Sequence, residues 1–514
     1  MNGAESLIRT LVAGGVDTCF ANPGTSEIHI VAAFDQVWDM RCVLALFEGV
    51  VTGAADGYAR MAGKPASTLL HLGPGLGNGL ANLHNAFRAR VPIVNIVGQH
   101  ATYHLPYDTP LTSDIEAIAR PYSHWLRTSQ SAPELGVDAA EAVLAARTGP
   151  GHISTLIVPA DAAWGQGGQV GKILAVPVPP MPANETIERA AAMLRSNLRT
   201  AILLAGGGLY GQGLAAAGRI AAATGAKLLS PYPFTRFERG AGIPAVDRIH
   251  YILEQATEQL KEFRQLILVG APAPIAYFAS PGKNAVLTAT GCEIYTLATP
   301  FEDSVGALQA LTSALSADRT LPVAQPVQRP PAPSGPITLP GISAAVGALL
   351  PENAIVVDES MTSGRGLMAA TKGDPPHEWL GNTGGSIGIA LPLAVGAAMA
   401  CLDRPVLCLT ADGSAMYTLQ ALWTMAREDL DVTTVVFANR DYAVLKREFS
   451  YLGVGEPGRQ ARDLFEIGRP DLDWVFLGKS MGVPSTRATS LDELVQGLRA
   501  GFDSEGPKLI EVPL

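Results

Sequence analysis

Two polar clusters in the last third of the chain carry residue types that can hold a metal ion. Strand-like apolar runs at 406–410 and 433–438 flank a helical pattern, and Asp412 follows the first run while Asn439 follows the second. Neighbouring parallel strands of a βαβ unit deliver their C-terminal loops to one edge of the sheet, where ligands bind. We therefore expect Asp412 and Asn439 to meet.

These side chains have the ligand chemistry of a magnesium site. An Asp412 carboxylate, an Asn439 amide oxygen and a main-chain carbonyl such as that of Asp441 form an all-oxygen set, and Mg²⁺ completes its coordination with water and substrate phosphates. Gly413 allows close approach of the backbone, and Ser414 can open a helix whose N-terminus attracts phosphate. The pattern predicts a diphosphate held through a metal. The alternative is an ordinary strand-turn-helix with a solvated Asp412.

Glu48 is a candidate from the first part of the chain. It follows the strand-like run 42–47 and heads a Gly/Ala-rich helical segment with small or apolar neighbours. The helix dipole alone favours a glutamate in a first turn, which is one explanation of its position. A carboxylate buried among apolar neighbours is costly unless it has a partner, so a functional role is the other explanation.

Composition and proline content indicate how these residues are positioned. With 514 residues, 47% of them hydrophobic and only 16% charged, the chain suits about three α/β domains with buried parallel strands and large subunit interfaces. Proline-rich stretches at 175–184 and 321–336 read as extended linkers. We predict three domains, 1–175, 185–320 and 337–514, each a parallel sheet flanked by helices.

Charge, cysteine and hydropathy patterns exclude several function classes. The net charge is −10 and no Lys/Arg cluster occurs, which argues against nucleic-acid binding. Five scattered cysteines without a CxxC pair, and no signal-peptide pattern at the start, predict a cytoplasmic protein. The uncharged stretch 386–402 is Gly/Ala-rich and contains Pro392, so we predict a buried core helix rather than a membrane span.

The metal-binding pattern resembles a family signature. Asp412-Gly413, followed after 25 residues by Asn439, is similar to the diphosphate-binding motif of thiamine-diphosphate-dependent enzymes, normally Gly-Asp-Gly and then Asn-Asn. Ala411 and Ala438 replace the first Gly and the first Asn. The stretches NPGTSE, FEGVVTGAADGYAR and KPASTLLHLGPGLGN resemble the pyrimidine-binding domain of the benzoylformate decarboxylase branch. The resemblance spans most of the first and third blocks.

This resemblance implies thiamine diphosphate and Mg²⁺ as cofactors and assigns roles to individual residues. Glu48 would hydrogen-bond the aminopyrimidine ring, His71 matches an active-site histidine, and Thr25 takes the place of a substrate-contacting serine. Gly385 would offer its carbonyl to the thiamine amino group. Ile387 would be the bulky residue that bends the cofactor, with an ordinary core isoleucine as the alternative. Metal ligands would be Asp412, Asn439 and Asp441. The residues expected to contact the cofactor are Pro23, Glu48, Gly385, Ile387, Asp412, Gly413, Ser414, Asn439 and Asp441.

The implied reaction is decarboxylation of a small 2-oxo acid, with carboligation as a possible second step, as in acetolactate synthases. One alternative is a benzoylformate-decarboxylase-like lyase that releases an aldehyde, and another is a non-catalytic cofactor-binding relative. Proton-handling residues decide between the first two. Phe278 falls where the family has a second histidine, and His100 or His104 could replace it or be structural. Glu448 falls where relatives have an aromatic residue, and is either a surface residue or an acid at the pocket mouth.

Two glycine-rich stretches and the assembly complete the predictions. GGGLYGQG at 206–213 could be an FAD site, but no FAD signature is legible, so a structural turn is favoured. LGPGLGNG at 72–79 is interpreted as a turn that carries His71 to a sheet edge. Because Glu48 and Asp412 would hold opposite ends of one cofactor, we expect a homodimer or homotetramer with sites at the subunit interface. The Gly/Ala-rich helices after Glu48 and Ile387 are expected to pack at that interface.

Overall fold

Three β-sheets organise the chain, and the computed structural model describes residues 1–514. The first sheet has six parallel strands in the order β2-β1-β3-β4-β6-β5. Its strands are β1 Thr18–Asn22, β2 Arg41–Leu44, β3 Ala66–Leu70, β4 Ile93–Gln99, β5 Trp125–Thr128 and β6 Ile153–Pro159. The helices around it are α1 Gly3–Ala13, α2 Ile28–Phe34, α3 Glu48–Ala62, α4 Leu72–Ala89, α5 Ile115–Ala119, α6 Ala132–Arg147 and α7 Ala160–Trp164.

The glycine-rich stretch 72–79 differs from its predicted form. It is the first part of α4 rather than a turn, and His71 precedes the helix in an extended conformation. The glycines serve close packing, because a Cβ on Gly75 would lie 3.2 Å from Glu48 Oε1 and one on Gly79 would lie 2.9 Å from the Thr52 side chain. The prediction of a turn was wrong since glycine spacing alone does not distinguish a turn from a tightly packed helix face.

The second sheet is parallel and has the strand order β10-β8-β7-β11-β12. The strands in this part of the chain are β7 Thr200–Leu204, β8 Lys227–Ser230, β9 Arg236–Arg239, β10 Asp247–Arg248, β11 Gln265–Val269 and β12 Glu293–Ala298. Its helices are α8 Asn184–Arg195, α9 Gly211–Thr224, α10 Leu253–Leu260 and α11 Ser304–Ala314.

The third sheet has seven strands in the order β17-β18-β16-β15-β13-β14-β9. Its own strands are β13 Ile355–Glu359, β14 His377–Gly381, β15 Val406–Ala411, β16 Val432–Ala438, β17 Ser485–Arg487 and β18 Lys508–Pro513. Its helices are α12 Leu339–Leu349, α13 Leu367–Ala370, α14 Ala390–Ala400, α15 Asp412–Ala415, α16 Ala421–Arg427, α17 Ala443–Tyr451, α18 Arg459–Phe465, α19 Trp474–Ser480 and α20 Leu491–Phe502. The predicted α/β architecture of three sheets flanked by helices is confirmed.

Strand β9 is the exception to the predicted all-parallel sheets. It comes from the middle of the chain, yet it pairs antiparallel with β14 at the edge of the third sheet. Phe237 faces Trp379 in this pairing, and both side chains are buried. The segment 185–320 therefore contributes strands to two sheets. Strand β9, with the sequence Arg-Phe-Glu-Arg, pairs with the edge of β14 that would otherwise be open.

Helices α3 and α14 join the first and third sheets within one chain. A Cβ on Gly57 would lie 2.1 Å from the Leu393 carbonyl oxygen, and one on Gly396 would lie 1.9 Å from the Ala54 carbonyl oxygen, so glycine permits the backbones to touch. One buried apolar cluster contains residues of both sheets. The stretch 386–402 indeed forms a buried core helix, and none of the helices is long and apolar enough to span a membrane. This close packing needs no second subunit.

Candidate active site

The loops after β15 and β16 meet as the sequence predicted. The two strands are parallel neighbours, with Ala411 opposite Phe437, so both loops leave the same edge. Asp412 is buried there; its Oδ1 accepts from the Gly413 N–H at 2.8 Å and its Oδ2 from the Arg440 N–H at 2.7 Å. Burial raises the pKa of Asp412, and these hydrogen bonds oppose the rise. A carboxylate in this setting gains from a nearby cation.

The rest of the expected metal set lies beside Asp412. Asn439 Oδ1 accepts from the Asp441 N–H at 3.2 Å. One carboxylate oxygen of Asp441 pairs with Lys446, while the other, Oδ1, is buried without a hydrogen-bond partner. The chain contains no group of three or more His, Cys, Asp or Glu side chains arranged around a metal. A cation here would depend on one carboxylate, amide and carbonyl oxygens, and ligand phosphates, which fits Mg²⁺.

Gly413 and Ser414 lie in the short helix α15, which begins at Asp412, and both are buried. A Cβ on Gly413 would lie 2.6 Å from Cε1 of Tyr442, so only glycine leaves room for the Tyr442 ring. Glycine at this position therefore allows the Tyr442 ring to pack directly against the backbone of the loop.

A loop between β14 and α14 carries the two residues assigned to the thiamine ring. Gly385 has φ +82°, a conformation that favours glycine, and its N–H donates to Asn382 Oδ1 at 2.8 Å. Asn382 Nδ2 in turn donates to the Ser386 carbonyl at 2.9 Å. Ile387 is only half-buried and does not belong to the apolar core, so an ordinary core role does not explain it. We call residues 382–389 the cofactor loop.

Glu359 holds the cofactor loop and is a residue to which the sequence analysis assigned no role. Its buried carboxylate accepts from the N–H groups of Gly388, at 3.0 Å, and Ala390, at 3.2 Å, and from Asn382 Nδ2 at 3.1 Å. Burial raises the pKa of Glu359 to about 7, although these hydrogen bonds act in the opposite direction. Its place at the C-terminal edge of β13 was the available signal.

Helices of the first sheet hold the other side of the cofactor loop. Asn85 Nδ2 donates to the Ser386 carbonyl at 2.9 Å, and the ring of His84 contacts the Gly384 carbonyl at 3.0 Å. Arg60 is buried in an ion pair with Asp56 and donates to the Gly381 carbonyl at 2.8 Å. These contacts fix the loop between the first and third sheets of one chain.

Glu48 is a buried carboxyl group with few polar partners. It begins α3 at the C-terminal edge of the first sheet and is buried, so it is not a solvated first-turn glutamate. Asn78 Nδ2 donates to its Oε2 at 2.9 Å, and α4 approaches its other oxygen at Gly75. One polar partner leaves the carboxyl group with unused hydrogen-bonding capacity.

His71 has a partner that sequence reasoning missed. Its Nδ1 lies 2.8 Å from Oε2 of Glu27, which is fully buried and also accepts from the Gly24 N–H at 2.8 Å. Burial raises the pKa of Glu27, and His71 opposes that rise. A glutamate three residues into a helical turn after Gly24 was the only local signal. The exposed residues Pro23 and Thr25 flank the same turn, so the predicted first-sheet residues do come together.

His100 and His104 extend this edge of the first sheet. Their ring centroids are 5.6 Å apart, and Thr109 Oγ1 lies 3.3 Å from His100 Nε2. The pKa of His100 is lowered chiefly by burial, with contributions from His104 and His71. His100 is thus near His71 and remains a candidate for proton transfer.

A tyrosine-lined cleft with a volume of about 50 Å³ opens beside the cofactor loop, where Tyr277 lies against Gly385. We define it by Tyr251, Tyr277 and Phe278 on one side and by Arg447, Glu448 and Tyr451 of α17 on the other. Glu448 pairs with Arg447 at 2.6 Å and lines this cleft, so it lies at a pocket mouth rather than on an open surface. Phe278 is 61% exposed in the cleft and offers no proton.

The glycine-rich stretch 206–213 forms a one-turn 3₁₀ helix followed by the start of α9. A Cβ on Gly213 would lie 2.0 Å from the Gly207 carbonyl oxygen, so the glycines allow the backbone to fold on itself. A tight structural turn is thus a sufficient explanation for these glycines.

Comparisons with known proteins identify the family of the chain. Residues 1–119 match the N-terminal TPP binding domain of thiamine pyrophosphate enzymes, and residues 364–512 match the C-terminal TPP binding domain. A Mycobacterium tuberculosis protein named "Putative acetolactate synthase large subunit IlvX" is 52% identical over 100% of this chain and 99% of its own length. Benzoylformate decarboxylase of Pseudomonas aeruginosa is 29% identical over 97% of this chain and 96% of its own length.

Solved structures show the same fold. The thiamine-diphosphate-dependent 4-hydroxybenzoylformate decarboxylase of Rhodococcus jostii RHA1 superposes with a TM-score of 0.87 at 22% identity, covering 100% of this chain and 99% of that one. Benzoylformate decarboxylase from Polynucleobacter necessarius gives a TM-score of 0.85, also at 22% identity, with the same coverage. The two family matches and the full-length similarity establish that the chain belongs to the thiamine pyrophosphate enzyme family, as a thiamine-diphosphate-dependent enzyme related to acetolactate synthases and benzoylformate decarboxylases.

Proposed function

We propose that this enzyme uses thiamine diphosphate and Mg²⁺ to decarboxylate a small 2-oxo acid and can join the product to a second carbonyl compound, as acetolactate synthases do. The observation that carries the proposal is the buried Asp412 carboxylate, which lies beside Asn439 and the partnerless Asp441 Oδ1 where two parallel strands end. This is an oxygen-rich position suited to a metal-bound diphosphate.

Different residues of the chain would bind the metal ion, the diphosphate and the ring of the cofactor. Asp412, Asn439 and the Asp441 carbonyl would bind Mg²⁺, with Gly413 and Ser414 near the diphosphate. Glu48 would hold a proton at a pyrimidine ring nitrogen, and the cofactor loop would support the ring through the Gly385 carbonyl and the Ile387 side chain. The chemistry supplied by the bound cofactor is an electron-accepting ring that stabilises the charge left when carbon dioxide departs.

His71 would manage protons on the substrate side. The buried Glu27 fixes the orientation of its ring through Nδ1, which leaves Nε2 available to hold or move a proton. Pro23 and Thr25 lie on the exposed side of the same turn, where Thr25 can contact the substrate and Pro23 the cofactor. Glu48 and His71 both lie at the C-terminal edge of the first sheet, so these roles are spatially compatible.

A benzoylformate-decarboxylase-like lyase that releases an aldehyde is the second candidate. The 29% identity to such an enzyme over nearly the whole chain supports it, as does the His71 match, while the 52% relative named as an acetolactate synthase supports ligation. A panel of pyruvate, 2-oxobutyrate, benzoylformate and phosphonopyruvate, assayed for carbon dioxide release with product analysis, distinguishes them. Aldehyde alone supports the lyase, and a ligated product supports the synthase-like activity.

The metal assignment has a direct test in calorimetry. We expect the wild type to bind thiamine diphosphate only in the presence of Mg²⁺, and Asp412→Ala to lose this binding because the site loses its carboxylate ligand. Asp403→Ala is the matched control, since Asp403 is exposed and has no hydrogen bond within the chain. Unchanged Mg²⁺-dependent affinity in Asp412→Ala would refute the metal site, and no binding by the wild type would refute the proposed function.

The assembly we propose is a homodimer, or a homotetramer built from two dimers. Glu48 and Asp412 lie at the C-terminal edges of two different sheets, so two chains packed head to head could each supply one end of a shared site. Sedimentation of the purified protein tests the assembly, and a stable monomer with full activity would contradict it.

A further inference from the structure

The tyrosine-lined cleft reaches the cofactor loop through one side chain, Tyr277. A Cβ built on Gly385 would lie 2.1 Å from the Tyr277 hydroxyl oxygen and 3.3 Å from its Cζ, so the tip of the phenol rests against the glycine backbone. The hydroxyl makes no hydrogen bond to any other group of the chain. Because Gly385 adopts φ +82° and has no side chain, the hydroxyl can reach the loop.

Neighbouring rings hold Tyr277 in this direction. The ring packs edge-on against Phe278, with centroids 4.9 Å apart, and against Tyr232, at 6.2 Å, and it is tilted against Tyr251 at 5.5 Å. Arg248 and Arg447 lie over the rings of Tyr232 and Tyr251. Edge-on contacts between aromatic rings are a favoured arrangement and give the Tyr277 ring a defined orientation. The free hydroxyl is therefore aimed at the loop by packing alone.

The hydroxyl is also chemically suited to donate. Burial raises the pKa of Tyr277, so the phenol stays protonated in the physiological range. Among the aromatic residues of the cleft, Phe278 has no exchangeable proton and the Tyr451 hydroxyl is engaged with Glu254. Tyr251 also carries a hydroxyl, but the atoms nearest the Gly385 backbone all belong to Tyr277. Tyr277 is thus the donor in the cleft that lies against the loop assigned to the thiamine ring.

We propose that the Tyr277 hydroxyl donates the proton that converts the decarboxylated substrate into an aldehyde. This inference rests on the proposed function. The O–H bond of Tyr277 breaks, a C–H bond forms at the carbon that has lost carbon dioxide, and the phenolate regains a proton from water through the open side of the cleft. Tyr277 therefore biases the outcome toward aldehyde and against ligation to a second carbonyl.

The first test is the product ratio of Tyr277→Phe, which removes the oxygen and keeps the ring. We expect aldehyde release to fall by a factor on the order of 100, the usual size of a lost general acid. Carbon dioxide release into ligated product should persist, so the ratio of ligated product to aldehyde rises. Tyr295→Phe is the matched control, because the Tyr295 hydroxyl bonds to Thr186 outside the cleft.

The second test measures whether the environment of Tyr277 changes on cofactor binding, in the absence of catalytic turnover. In protein labelled with 3-fluorotyrosine, the ¹⁹F resonance missing from Tyr277→Phe should shift when thiamine diphosphate and Mg²⁺ bind, while that of the exposed Tyr103 should not. An unmoved Tyr277 resonance in cofactor-saturated protein would overturn the inference. So would an unchanged product ratio, or a wild type that forms only ligated product. Failure of the cofactor to bind at all would instead refute the proposed function.

Discussion

Replacing the buried carboxyl group that anchors the cofactor loop should change how stability depends on pH. The folded protein raises the pKa of Glu359 from 4.5 to about 7, chiefly through burial. A raised carboxyl pKa gives stability that is fully present below pH 4.5 and is lost as pH rises through about 7. The full effect corresponds to about 3.4 kcal/mol, of which about 2.5 kcal/mol is lost between about pH 5 and about pH 8.

Glu359→Gln removes the ionisation, so it should remove this part of the pH dependence. For a chain of 514 residues, about 2.5 kcal/mol corresponds to about 2 °C in the thermal midpoint. The wild-type midpoint should therefore fall by about 2 °C more than that of the variant over this pH range. The amide also places an N–H donor against the N–H groups of the loop, which costs about 1–3 kcal/mol at every pH. The difference in slope, not the absolute midpoint, is the measured quantity.

Calorimetric scans of the apoprotein at unit steps of pH provide the comparison. Asp374, whose pKa burial also raises to about 7, titrates in both proteins and cancels in the difference. Glu352→Gln is the control, because Glu352 is exposed and its replacement should leave the wild-type slope intact. Parallel pH profiles for the wild type and Glu359→Gln would show that Glu359 does not titrate as its burial requires.

Three further predictions follow from the packing and the site. Gly57→Ala should lower the thermal midpoint, because the new Cβ would meet the Leu393 carbonyl oxygen and such overpacking costs about 1–3 kcal/mol. Gly77→Ala, whose Cβ would enter open space, should raise the midpoint instead. Equal midpoints for the two variants would contradict the close contact of α3 with α14. Glu27→Gln should leave calorimetric thiamine diphosphate affinity within about twofold but lower kcat about 10–100-fold as His71 loses its orientation; a normal kcat would exclude that role. Mixing inactive Glu48→Gln and Asp412→Ala chains should restore activity through mixed dimers, and no recovery despite subunit exchange would exclude shared sites.

Local pattern and sheet geometry sufficed to bring the loops of Asp412 and Asn439 together. Continuous apolar runs predicted β15 and β16, and the rule that neighbouring parallel strands end at one edge of the sheet brought Asp412 to the loop of Asn439. Glu48 was found because a carboxylate among small apolar residues is unusual. These inferences depend on one segment, or on two segments joined by one crossover, and such relations are visible in a sequence.

Other features depend on contacts between distant segments. Glu359 meets Gly388 across 29 positions of the chain, Glu27 meets His71 across 44, and Tyr277 reaches Gly385 from a different sheet. No periodicity links such pairs. The prediction of a turn at 72–79, in α4, was wrong for a related reason. Whether a glycine-rich stretch forms a turn or the packed face of a helix depends on the segments that lie opposite it. Long-range partners, rather than local propensity, decided each of these cases.

Strand β9 has a consequence for exchanging modules among relatives. The segment between the two proline-rich linkers cannot be removed or swapped as an independent cassette, because it carries the strand that seals β14. Excision would strip the partner from Trp379 and leave a hydrogen-bonding edge open to other chains. In a chimera joined at the two linkers, the strand beside β14 would come from the other protein. The solubility of the chimera should therefore depend on whether that strand places an aromatic residue at the position of Phe237.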